Sequence, residues 1–183
     1  MERIIAITGT PGVGKTRIAA LLHKRVKGSV LVDVNKIINE RRLYSGIDKD
    51  GAKIVRLKAL QMALADVLKQ NKNAKLIIVE GHILSDIKIK GAVAIVIREH
   101  IRKIMKRLKA RGYPKKKINE NIIAEAIDYC GANAERNYSS TYEVLSDAGA
   151  VEKIMRIISG KQKKERINLM PELLPMIKRG EVD

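Results

Sequence analysis

Apolar positions along the chain alternate between two spacings. Ile4–Ile7, Val30–Val32, Leu76–Val79 and Ala92–Ile97 are short unbroken apolar runs rich in β-branched residues, and they predict strands covered on both faces. A last strand is expected near Tyr142–Leu145. Between the runs the apolar residues recur at three and four. Ile18, Leu21, Leu22 and Val26 predict a helix over Arg17–Val26, and Ile54, Leu57, Leu60, Leu64 and Leu68 predict one over Ala52–Lys69. Further helices are expected over Val34–Arg42, Ile101–Ala110, Ile118–Arg136 and Ala148–Ile158. Turn-rich Tyr44–Gly51 and Arg111–Lys115 interrupt the pattern. Strands alternating with helices predict an α/β fold, a parallel sheet with helices on both faces, in one domain of 183 residues. Right-handed crossovers then bring Gly9–Thr16, Asp33, Glu80–His82 and Arg98 toward a common crevice.

The segment joining the first strand to the first helix is Gly9-Thr10-Pro11-Gly12-Val13-Gly14-Lys15-Thr16. It matches the phosphate-binding loop G-x-x-x-x-G-K-[ST] in the strand–loop–helix setting where that pattern has mechanical sense, so the fold is expected to be a P-loop NTPase. Glycines let the backbone N–H groups of the loop turn inward on an anion, and the helix N-terminus adds about half a positive charge. The loop is therefore expected to bind a nucleoside triphosphate, with Lys15 on the β- and γ-phosphates and the Thr16 hydroxyl on Mg²⁺. A glycine-rich turn that matches by chance is the alternative.

Composition narrows the setting. No apolar stretch reaches the 18 residues of a membrane span, and no secretory leader pattern opens the chain. The single cysteine, Cys130, has no partner for an internal disulfide and suits a reducing cytoplasm. Lys plus Arg number 37 against 20 Asp plus Glu, a formal charge of +17. Such an excess fits contact with RNA or a ribonucleoprotein, and equally a lysine-rich solvated surface. Aromatic residues make up 3%, with no Phe or Trp, so RNA contact would be to phosphates rather than by base stacking.

Three further positions carry candidate chemistry. Glu80 ends a strand, where a carboxylate in a phosphate-loop protein holds Mg²⁺ or positions the attacking group, although a capping or surface acid reads the same way. Gly81 is expected to permit close approach to the loop, and His82 to orient phosphate or water or to serve as an ordinary loop residue. From Arg98 to Lys117 there are ten basic residues and one acid, Glu99. Arg107 and Arg111 lie four apart on one helix face, and Gly112 and Pro114 end that helix. This predicts a short flap carrying two arginines over triphosphate; a basic helix facing nucleic acid is compatible with it. Beyond Gly160, a charged solvated stretch and a short amphipathic piece around Pro171 and Pro175 are expected, with no function attached.

The combination of the loop with Leu43-Tyr44-x-Gly46, Glu80-x-His82 and Arg107-Leu108-x-x-Arg111-Gly112-Tyr113 resembles the CINAP-type adenylate kinases, coilin-interacting nuclear ATPase proteins, over about residues 3–158. Asn121, Glu125 and Tyr138 belong to the likeness. It implies an adenylate-kinase-like, five-stranded parallel core, a nucleoside-monophosphate-binding insert over about 33–56 and a lid over about 110–120. It also implies transfer from ATP to AMP as acceptor, ATPase activity, and a role in small ribosomal subunit maturation with a small-subunit ribosomal protein near the 3′ end of the RNA. Lys15, Glu80, His82, Arg107 and Arg111 become the catalytic candidates, Gly12, Val13, Gly14, Lys15, Thr16 and Arg17 the ATP-binding positions by resemblance, Thr16 and Glu80 the metal ligands, and Arg111 the lid arginine on ATP. The chain departs from eukaryotic members in having Glu80-Gly81-His82 for Asp-Tyr-His. Asn39 stands where a family arginine could hold AMP, with Lys36, Arg41 and Arg42 nearby as substitutes. Two alternatives remain: an ATPase switch that binds a ribosomal protein or pre-ribosomal RNA, and a kinase for another small acceptor.

Overall fold

In the computed structural model, which describes residues 3–49 and 51–182, the apolar runs become β1 (Ile4–Thr8), β2 (Ser29–Asp33), β5 (Leu76–Glu80), β6 (Val93–Arg98) and β7 (Thr141–Leu145), with β3 (Tyr44–Ile47) and β4 (Lys53–Val55) forming a separate antiparallel hairpin. The main sheet is wholly parallel in the order β2-β5-β1-β6-β7. Its helices are α1 (Lys15–Arg25), α2 (Val34–Glu40), α3 (Leu57–Gln70), α4 (Ile101–Ala110), α5 (Lys115–Ala126), α6 (Tyr129–Asn137), α7 (Ala150–Ile158) and α8 (Met170–Lys178). No helix of the described residues is long and apolar enough to cross a membrane.

Both sheet faces are buried, as the unbroken runs require. Alternate residues point opposite ways. Ile5, Ile7, Ile78, Ile95 and Ile97 pack under α1, α4, α5, α7 and α8, which contribute Leu22, Ile104, Ile122, Ile154 and Leu173. The other face presents the smaller Ala6, Ala94 and Val96 to α2, α3 and α6 through Ile37, Leu60 and Ala134. β1 therefore sits between β5 and β6 with the chain leaving it on one side and returning on the other, and the crevice beyond its carboxyl end is the expected binding position.

Several boundaries differ from the sequence expectation. The turn-rich stretch contains β3, and the helix expected from Ala52 begins only at Leu57, because Lys53–Val55 pair with β3. Asp50 lies outside the described residues, as do Met1, Glu2 and Asp183. The long helix expected over Ile118–Arg136 is two helices broken at Asp128, whose φ of 57° leaves the helical region; its side chain then caps α6 by accepting from Gly131 N. The amphipathic piece around Pro171 and Pro175 forms α8 as expected of its pattern, and Leu169, Leu173, Met176 and Val182 are buried in the larger core.

Candidate active site

β1 ends at Thr8 and the loop begins at Gly9, where an added Cβ would stand 2.4 Å from the Ile97 carbonyl oxygen. Only glycine fits. Gly12 and Gly14 have φ of 94° and 102°, the region glycine tolerates without strain. Gly14 caps α1 with no side-chain acceptor and no acid in the first turn, so the helix N-terminus keeps its positive potential for an anion. Val13 contributes backbone only, its side chain being fully buried, while Arg17 is exposed on the cavity wall.

Lys15 is buried, and its Nζ donates to the carbonyls of Gly9 at 2.8 Å and Thr10 at 3.1 Å. Burial pulls its pKa below the ordinary lysine value, with Glu80 opposing. Glu80 ends β5 beside Ile7 of β1 and Asp33 of β2, and its Oε2 accepts from the Thr16 hydroxyl at 3.2 Å. Its pKa is raised by burial, against the pull of Lys15. Burial, then the Lys15 charge, lowers that of His82, whose residue lines the cavity and whose carbonyl accepts from Thr8 Oγ1 at 2.9 Å. Gly81 makes room for a different neighbour than expected. An added Cβ there would lie 2.8 Å from Val34 Cβ, so the close approach is to α2 and not to the loop.

The two arginines of the expected flap have separate tasks. Arg111, at the C-terminus of α4, lines the cavity with Tyr113. Arg107 does not line it. One guanidinium nitrogen donates to the Gly12 carbonyl at 2.9 Å and another to Glu99 Oε2 at 2.8 Å, so Arg107 ties the loop to α4. Glu99 is fully buried. Its being the one acid in that basic run was the available signal for this anchor. Arg98, expected at the crevice, is buried instead. It binds Glu125 at 3.0 Å, Asp128 at 2.6 Å and Glu143 at 2.8 Å, joining β6 and β7 to the α5–α6 junction. Three carboxylates competing for one cation leave it nothing for a ligand. Tyr138 is likewise structural, donating to the Leu84 carbonyl at 2.9 Å.

The cavity has a volume of about 650 Å³. Lys15, Arg17, Lys53, Arg111 and Lys117 bring positive charge to its walls, and Glu80 is the single acid among its described lining residues. Lys53 comes from the hairpin and was not singled out in the sequence, nor was Lys117. The walls suit an extended polyanion. Thr16 and Glu80 present the hard oxygen donors that Mg²⁺ takes. Among the described residues no cluster of three His, Cys, Asp or Glu side chains could hold a metal alone.

Residues 5–128 match the family described as an AAA domain. A Methanosarcina acetivorans protein is 31% identical over 173 residues, 88% of this chain and 91% of its own length. A Methanocaldococcus jannaschii protein is 34% identical over 165 residues, 88% of each chain. Both carry the name "Putative adenylate kinase". The fold is similar to that of shikimate kinase from Bacteroides thetaiotaomicron, with a TM-score of 0.58 at 15% identity, over 86% of this chain and 98% of that one. With a family model over residues 5–128 and relatives above 30% identity along most of its length, the chain belongs to the AAA-domain family and to the adenylate-kinase-like proteins that these archaeal relatives represent.

Proposed function

We propose that the protein is an ATP-dependent nucleoside monophosphate kinase that converts ATP and AMP into two ADP, with ATP hydrolysis when water replaces the acceptor. The observation that carries this reading is one cavity lined both by Lys15 and Thr16 of the phosphate loop and by Asn35, Asn39 and Lys53 of the span 33–56, which gives cations for two anionic groups. An acceptor phosphate oxygen attacks the γ-phosphorus. The bond from that phosphorus to the bridging oxygen breaks, the electron pair stays on the departing ADP, and no covalent enzyme intermediate forms.

Lys15 and the loop amides hold the β- and γ-phosphates, and Arg111 offsets charge on the moving phosphoryl group. Arg107 acts through Gly12, fixing the loop's shape. His82, kept neutral at pH 7 by burial and Lys15, can accept a hydrogen bond from the acceptor or a water. Thr16 and Glu80 would hold Mg²⁺, which neutralises phosphate charge when bound. The decisive assay follows AMP, ADP and phosphate together. Two ADP per ATP with little free phosphate supports the kinase; phosphate release with AMP untouched overturns it.

The second reading is an ATPase switch in small-subunit maturation, binding a ribosomal protein or pre-ribosomal RNA in the cytoplasm. What favours it is the CINAP-type resemblance together with exposed Lys106, Lys109, Lys115 and Lys116 on neighbouring α4 and α5 within a chain of formal charge +17. Binding to small-subunit RNA that weakens steeply with salt supports this reading, and none at moderate salt removes it.

A further inference from the structure

A second recess lies at the opposite end of the sheet from the nucleotide cavity. Its floor is apolar: Val26 follows α1, Leu76 opens β5, and Met155 and Ile158 come from the C-terminal half of α7. Arg25, Lys27 and Lys75 form the rim, and no acid is among the described lining residues. Its volume is about 350 Å³, within the range of about 300–1,000 Å³ common to small-molecule sites. α1 runs from Lys15 and Thr16 to Arg25, and β5 from Leu76 to Glu80, so both elements reach from one cavity to the other. A helix of 11 residues spans about 16 Å, which keeps the two apart.

The rim carries positive charge that the protein does not answer. Arg25 pairs with Glu152 of α7 at 3.5 Å, but Lys27 and Lys75 form no ion pair among the described residues. The Lys75 N–H donates to the Gly28 carbonyl at 2.9 Å, which holds the two lysines on adjacent turns of chain. The end of α1 does not neutralise them. Its last carbonyls are taken by Ser29, whose hydroxyl donates to His23 O at 3.2 Å and to Val26 O at 2.7 Å. Two like charges beside an apolar floor repel each other until an anion joins them. None of the exposed large apolar side chains lines the recess, so its apolar surface stops at the rim. What fits it is one apolar body bearing one anionic head.

We propose that this recess binds a small amphipathic anion, with Lys27 and Lys75 on the anionic head and Val26, Leu76, Met155 and Ile158 around the apolar body. The site is separate from the nucleotide cavity, so the assignment stands or falls independently of the kinase reading. Octanoate is the probe, and octan-1-ol is its neutral counterpart. The test follows the methyl NMR signals of the full chain with ATP in excess. The methyls of Val26, Leu76, Met155 and Ile158 should shift saturably at millimolar octanoate or below. An exposed cation adds no more than about fivefold to affinity, so octanoate is expected to bind about fivefold to twentyfold more tightly than octan-1-ol. Lys27→Glu combined with Lys75→Glu, both at exposed positions, should remove that preference. Met155→Glu, at a half-buried wall position, should abolish octanoate binding.

Methyl shifts that do not saturate overturn the assignment. So do shifts that centre on the nucleotide cavity and vanish when ATP is added. Octan-1-ol binding as tightly as octanoate removes the anionic head from the proposal, as does an unchanged octanoate affinity in the double lysine variant. A parental melting temperature confirms that this variant is folded. Should Met155→Glu unfold, the lysine pair alone decides.

Discussion

The Thr16 hydroxyl donates to Glu80 Oε2 at 3.2 Å, joining the last residue of the phosphate loop to the end of the neighbouring strand. In the proposed reaction these two oxygens would hold Mg²⁺. Glu80→Gln keeps the shape and the acceptor oxygen but removes the charge. It should lower turnover about tenfold to a thousandfold, with a higher Mg²⁺ requirement, while the melting temperature holds or rises because a buried carboxylate no longer has to be desolvated. Equal Mg²⁺ titrations for variant and parent would remove Glu80 from the metal site.

Protonation of the site gives a pH signature. Burial raises the Glu80 pKa above its ordinary 4.5 in the metal-free site, so protons compete with Mg²⁺ for this carboxylate, and turnover at limiting Mg²⁺ falls, at a higher pH than an exposed glutamate would give. Burial and Lys15 move His82 the other way, below 6.5, so it is neutral across the working range. The acid limb of the pH–rate profile is therefore expected to survive in His82→Gln and to disappear in Glu80→Gln. A limb that vanishes in His82→Gln alone would reverse the two roles.

Arg107 and Arg111 are one helical turn apart yet should fail differently. Arg111→Ala removes a group that faces the cavity and is expected to reduce kcat by about a hundredfold with little change in melting temperature. Arg107→Ala frees the Gly12 carbonyl and leaves fully buried Glu99 with Lys103 at 3.4 Å and the His100 N–H as partners. That predicts a loss of about 1–3 kcal/mol of stability as well as weaker ATP binding. Urea unfolding of the two variants beside their KM for ATP separates the cases.

The sheet was legible because its strands are buried on both faces and so spell unbroken apolar runs. The phosphate loop was legible because its glycines and lysine sit at fixed local spacing. What the sequence left hidden depends on pairing across distance. Lys53 reaches Asn39 only because a hairpin replaces the first turn of an expected helix, and helical periodicity at Ile54 and Leu57 masks that hairpin. The site role expected of Arg98 failed for a related reason: at a strand end an arginine reads the same whether it faces a ligand or three buried acids. Its partners Glu125, Asp128 and Glu143 come from other elements.

That acid cluster makes stability depend on pH in a stated direction. Burial raises the Asp128 and Glu143 pKa values despite Arg98, so the folded chain binds their protons more tightly than the unfolded chain. Stability from these groups therefore falls as pH rises from the ordinary carboxylate value through the raised ones. Arg98→Met withdraws the compensating cation and is expected to cost about 3–5 kcal/mol near pH 8. The cost should shrink toward pH 5 as the acids take up protons. Urea midpoints of parent and variant at both values test this, and a larger deficit at pH 5 would contradict it.

The C-terminal helix provides the last test. Glu172 of α8 accepts from His100 Nδ1 at 2.7 Å and from Ile101 N at 3.1 Å, so it caps α4, which has no side-chain cap of its own. α4 carries Arg107 and is followed at once by Arg111, and α8 also packs on α5. Glu172→Ala should cost about 1 kcal/mol, a few degrees in melting temperature, as a lost N-cap does. Truncation after residue 168 is far more severe. It removes Leu169, Leu173, Met176 and Val182 from the core, each contributing up to about 1.5–3 kcal/mol, a sum comparable with the whole stability of about 5–15 kcal/mol of a typical domain. The truncated chain is expected to be insoluble or to lose its cooperative melt, whereas a cooperative melt within a few degrees of the parent would show α8 to be dispensable to the core.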